Sequence, residues 1–248
     1  MTNQPLLELY KRHESTIYEI GLRCAENMQG PFLIAPNEGY WRSMPKIAFV
    51  GQETNGWSSE RGISEQMTAY SKFNLGEAYY SSPFWNVIRK LERALTGGNY
   101  WSAWLNFNRY DEGGGRPSWD NQRVLSELDF LFLEELKLLA PDVVIFFTGP
   151  DYDERLTSLF QATQLPITGF PTRQLCGIQT SILRGLIFRT YHPNYLRRSG
   201  LEEKVIDAIR AEVTQKRSTE AEPGAAPNGG PATRLGNSGV SEGPPSVS

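Results

Sequence analysis

Glu53 and His192 occupy matching places in two distant stretches of this chain. Lys46-Ile-Ala-Phe-Val-Gly51-Gln52-Glu53-Thr54-Asn55-Gly56-Trp57 is an apolar, β-prone run that breaks into polar turn residues. Leu186-Ile-Phe-Arg-Thr-Tyr191-His192-Pro193-Asn194-Tyr195-Leu196-Arg197-Arg198 ends in the same way. In an open α/β sheet, ligands bind at the C-terminal ends of strands. A carboxylate and an imidazole facing one crevice suit cleavage of a bond whose leaving group departs as an anion.

The elements that must position these groups can be read coarsely. Residues 4–28 read as one amphipathic helix, with Leu6, Leu9, Ile17, Ile20 and Cys24 on its apolar face. Short apolar strands are expected at 46–50, 101–107, 142–147 and 186–190. Residues 51–80 read as a long irregular loop, and loops of that length are usually functional or disordered. Helices are expected over 83–95, 120–139, 151–162 and 201–216; Pro83 near the first turn and Pro141 after the last support two of these boundaries. Residues 166–177 read as loop or edge strand. Strands separated by helices predict a three-layer α/β/α sandwich around a central, mostly parallel four-stranded sheet. Residues 1–216 would form this domain. Residues 217–248 are rich in Gly, Pro, Ser and Ala with few large apolar groups, and are expected to be disordered.

Composition narrows the class. Hydrophobic residues make up 39% and charged residues 21% of 248, which suits a globular domain. No apolar run is long enough to span a membrane, and the charged N-terminal residues Glu8, Lys11, Arg12 and Glu14 do not read as a secretory signal. Cys24 and Cys176 cannot build a disulfide framework or a four-thiolate metal site. A cytoplasmic protein without a bound metal is expected. A net charge of −3 confines any DNA-binding surface to a local patch. Neither a dinucleotide-binding glycine motif nor a phosphate loop is present, so no nucleotide cofactor is expected.

At the level of motifs the chain resembles the uracil-DNA glycosylase superfamily over roughly residues 40 to 210. Gly51-Gln52-Glu53-Thr54-Asn55-Gly56 stands where that family has Gly-Gln-Asp-Pro-Tyr-His. His192-Pro193-Asn194-Tyr195-Leu196 is similar to its His-Pro-Ser-Pro-Leu. Ser82-Pro83-Phe84-Trp85-Asn86-Val87-Ile88-Arg89-Lys90-Leu91 resembles its Pro-Pro-Ser-Leu-x-Asn-Ile-x-Lys-Glu-Leu. Ala103-Trp104-Leu105-Asn106 takes the place of the strand ending in a base-reading Asn, and Phe146-Phe147-Thr148-Gly149 that of an apolar strand ending in Gly. Each motif alone is weak; five in the right order are more specific.

The resemblance implies a monofunctional DNA glycosylase that acts on a flipped-out pyrimidine and leaves an abasic site. It makes Glu53 the carboxylate that orients or deprotonates water, or steadies the cationic sugar, with Asn55 as the fallback. His192 would donate to the base oxygen that gathers charge. Gln52 and Asn106 would bind the base, and Phe73 would stack on it, ahead of Tyr79 and Tyr80 in the same segment. Leu196 would wedge into the duplex, with Arg197 and Arg198 on flanking phosphates. The plainer readings are a loop Glu, a structural His and a turn Asn.

The departures matter. Asn55 replaces the Tyr that excludes a 5-methyl group, and Gly56 and the long loop add room. A cytosine or uracil bulky at C5, such as the hypermodified bases of phage DNA, is therefore favoured, with a role in anti-phage defence as its natural setting. Ordinary uracil excision in repair is the alternative within the class. A catalytically silent DNA-binding module and a small-molecule nucleotide hydrolase are the alternatives outside it. DNA is the expected partner of a monomer.

Overall fold

The computed structural model describes residues 2–221 apart from 25, 59, 61 and 80. The tail expected over 217–248 thus lies mostly outside the described residues, as does Tyr80. In chain order the elements are α1 (Gln4–Arg12), α2 (Glu14–Arg23), β1 (Met28–Gln29), α3 (Glu38–Arg42), β2 (Ile47–Gly51), α4 (Ile63–Phe73), α5 (Pro83–Thr96), β3 (Ala103–Asn106) and β4 (Asp111–Glu112). They continue with α6 (Trp119–Leu125), α7 (Asp129–Leu139), β5 (Val143–Phe146), α8 (Asp153–Phe160), β6 (Thr163–Pro166), β7 (Leu175–Gln179), β8 (Leu186–Thr190), α9 (Pro193–Arg198) and α10 (Glu202–Ala221).

The main sheet runs β3-β2-β5-β8-β7-β6. The four expected strands β2, β3, β5 and β8 pair in parallel. The expectation of four strands is short by two: β7 runs antiparallel to β8, and β6 antiparallel to β7. Gly177 and Gln179 mask the strand character of β7 in sequence, and β6 is largely exposed, so neither shows the apolar run of a central strand. Every residue of β2, β3 and β5 is buried. Such strands need cover on both faces. One helix group comprises α5, α9 and α10, with α10 against β8; α1 packs on α4 and α7.

Three further expectations are corrected. The first helix is two, because the chain turns at His13, whose N–H bonds Tyr10 O. Residues 51–80 are not all loop. Ile63, Met67 and Tyr70 recur at helical steps and bury one face of α4. The helix expected over 120–139 is divided into α6 and α7 by a 3-10 turn at Ser126–Leu128. Among the described residues no helix is long and apolar enough to cross a membrane.

Connectivity sets the position of the crevice. From β2 the chain passes to β3 on one side, then returns to β5 on the other. That reversal opens a gap above the C-terminal ends of β2 and β5. Gln52 bridges it: its Nε2 donates to Thr148 O at 2.7 Å.

Candidate functional site

A cleft of about 730 Å³ lies at these strand ends. Gln52, Glu53, Asn55, Phe73 and His192 all line it. Five of the nine expected site residues are therefore brought together, from β2, the end of α4 and the start of α9. Trp57, Tyr79, Phe84, Trp85 and Trp104 complete a mainly aromatic wall. Phe73 sits centrally, its ring centroid 5.2 Å from Trp85, 5.5 Å from Tyr79 and 5.6 Å from Trp104.

Two buried polar side chains hold the loop that carries Glu53. Asp111 accepts from Thr54 Oγ1, from Trp57 N at 3.0 Å and from Gly114 N at 2.8 Å. Gln66, on α4, accepts from Trp57 Nε1 at 2.6 Å and donates to the carbonyls of Ser58 and Glu60. Asn55 and Gly56 are exposed at the tip of the loop, and Gly56 has φ +80°, a region favouring glycine.

Glu53 is mostly buried. Its Oε2 accepts from Asn108 Nδ2 at 3.3 Å and Tyr152 Oη at 3.2 Å. Burial raises its carboxyl above the ordinary range, against the lowering pull of those two donors and of Arg116. His192 caps α9: its Nδ1 accepts from Asn194 N at 3.3 Å. A neutral ring that accepts at Nδ1 carries its proton on Nε2. Burial lowers the imidazole to about 4, so it is neutral at physiological pH. Phe84 lies against it, ring centroids 5.4 Å apart.

The other expected residues lie elsewhere. Asn106 is fully buried and does not line the cleft. Its Oδ1 accepts from Trp104 Nε1 at 3.2 Å, and its Nδ2 has no partner. It packs so closely on β2 that a Cβ on Gly51 would come within 2.3 Å of its Oδ1. Asn106, expected to bind the base, is thus held behind the cleft lining with its Oδ1 engaged by Trp104, which does line the cleft. Leu196 is also misread as a wedge. It is 0% exposed, on the face of α9 turned to the core, whereas Tyr195 is 43% exposed. Successive side chains on a helix point about 100° apart, so when the apolar Leu196 is drawn inward its neighbour Tyr195 is turned toward the surface. Tyr195 packs on Tyr191 in a tilted ring contact, centroids 4.3 Å apart. Arg197 and Arg198 are exposed on α9, outside the cleft, with Arg197 Nε 3.5 Å from Glu202.

Sequence reasoning missed the partners of Glu53. Asn108 was visible only as the next same-facing position after Asn106, and Tyr152 and Arg155 gave no signal at all. Among the described residues no group of three or more His, Cys, Asp or Glu is arranged to hold a metal ion. Compared with known proteins, the chain matches no family model and no curated sequence.

Proposed function

We propose that the protein is a DNA glycosylase that hydrolyses the N-glycosidic bond of a flipped-out pyrimidine, with a base bulky at C5 as substrate. The observation that carries this reading is the placement of Glu53 and of neutral His192 on one aromatic-walled cleft. Glu53 takes a proton from water as its oxygen attacks the sugar C1′. The C1′–N bond breaks with its electron pair on the base, and His192 Nε2–H stabilises the charge at the base oxygen. The aromatic wall offers stacking surface for an extrahelical base. The cleft falls in the range that holds drug-sized ligands, larger than an unsubstituted pyrimidine needs, and no bulky side chain stands at Asn55 or Gly56. Exposed Tyr195, rather than Leu196, is the available wedge, with Arg197 and Arg198 beside it.

The burial of Leu196 also favours a second reading, a hydrolase of free nucleosides or nucleotides that needs no wedge. An abasic-site assay separates the two. Labelled DNAs carrying uracil, 5-hydroxymethylcytosine or glucosylated cytosine are incubated with the protein and with Glu53→Gln. The expected result is abasic sites on the bulky-base DNA, reduced about 100-fold or more by the substitution. Product from uracil alone would return the protein to ordinary uracil excision. Cleavage of free nucleosides with no abasic DNA would establish the second reading.

A further inference from the structure

Behind Glu53 lies a chain of hydrogen bonds with only one consistent direction. Arg155 is clamped by Asp129, with Nε at 2.9 Å and Nη2 at 2.5 Å from its two oxygens, and its guanidinium lies 5.1 Å from the Phe107 ring centroid. Its remaining Nη1 donates to Asn108 Oδ1 at 2.8 Å. A guanidinium only donates, so the Asn108 amide must turn its Nδ2 the other way. That Nδ2 meets Tyr152 Oη at 3.1 Å and Glu53 Oε2 at 3.3 Å. Tyr152 Oη accepts one hydrogen bond there and donates its own O–H to Glu53 Oε2 at 3.2 Å. Both donors thus converge on one carboxylate oxygen. Among the described residues no side chain or backbone group donates to Oε1, on a residue that lines the cleft.

We infer that Asp129, Arg155, Asn108 and Tyr152 form a positioning relay that holds Glu53 by Oε2 and leaves Oε1 as its single working oxygen. The inference rests on the proposed role of Glu53 but concerns how that group is presented. Asn108 and Tyr152 are positioning residues, since they act through Glu53. The relay also sets its charge state, because donors to a carboxylate favour the ionised form. Arg116 adds to this from above Tyr152, its guanidinium 4.8 Å from the ring centroid; Asp111 acts in the opposite sense. Asp151 bridges to Arg116 at 3.5 Å and moderates it. His192 across the cleft is neutral near pH 7 and contributes no charge there. Tyr152 itself stays protonated, since burial and the Glu53 charge both raise its phenol.

The test is a carbon-13 NMR titration of the Glu53 side-chain carboxyl in the full chain, assigned with Glu53→Gln. It is repeated in Tyr152→Phe, which removes one hydroxyl and keeps the ring, and in Asn108→Asp, which replaces a donor by an acceptor of the same shape. Each variant should move the Glu53 midpoint upward by about one pH unit. The acid limb of glycosylase activity should move with it, and activity about a pH unit or more below the wild-type midpoint should fall about tenfold. Arg155→Lys, which keeps the charge but loses the fork, should move the midpoint in the same direction by less. A midpoint unchanged in both Tyr152→Phe and Asn108→Asp, with both variants folded, would overturn the relay. A shifted midpoint in a protein inactive on every DNA would uphold the relay and count against the glycosylase reading instead.

Discussion

Burial acts on Glu53 and His192 with opposite signs and the same result. Desolvation raises the Glu53 carboxyl and lowers the imidazole, so each is biased toward its neutral form. For His192 this leaves a neutral ring with its proton on Nε2, able to donate without carrying a positive charge. For Glu53 it sets a limit, because only the ionised form can take a proton. Activity is therefore expected to fall as pH drops through the raised Glu53 midpoint, with no alkaline limb from His192. Stability follows a different rule. His192 is depressed from about 6.5 to about 4, so its contribution is complete above 6.5 and is lost as pH falls toward 4. It amounts to about 3 kcal/mol at most. Thermal unfolding from pH 7 to 4 should show a shallower loss in His192→Gln than in the wild type. Glu53 works the other way: its raised midpoint gives a contribution present below the unfolded-state value and lost as pH rises. At neutral pH Glu53→Gln should be at least as stable as the wild type.

At the scale of elements, α9 divides the labour between two adjacent residues. Leu196 anchors the helix in the core, and Tyr195 faces outward on Tyr191. Leu196→Ala should cost about 2–5 kcal/mol in denaturant unfolding, the usual range for a buried Leu. Tyr195→Ala should change stability by less than about 1 kcal/mol while weakening action on duplex DNA more than on single strands, because a wedge matters only where stacking must be broken. Equal effects on both DNAs would remove Tyr195 from the wedge role. The loop after β2 is held with similar economy. One buried carboxylate, Asp111, takes three donors, and one buried amide, Gln66, links the loop to α4.

At the scale of the molecule, the sheet presents the cleft and a buried ion pair ties its surroundings together. Arg109 and Glu135 are in contact and almost fully buried; Tyr10 donates to Glu135 at 2.6 Å and accepts from Ile34 N at 3.0 Å. This links α1, the segment before α3, the segment after β3 and α7. Glu135→Ala should strand a buried guanidinium and cost about 3–5 kcal/mol, read as a drop in denaturation midpoint. The α/β class, the four parallel strands and the convergence of Glu53 and His192 were legible in the chain, because strand runs, their order and the turn residues at their ends are written locally. The two antiparallel strands were legible only as a loop or edge strand over 166–177, since β6 is mostly exposed and β7 contains Gly177. The interior of the site was not legible. Asn108 meets Arg155 47 positions on, and Tyr152 meets Glu53 99 positions away. Side-chain type and spacing determined which groups reach the strand ends. Only tertiary packing decided which of them face the cleft, because the direction of Asn106, Asn108 or Leu196 depends on partners that the chain brings near only by folding.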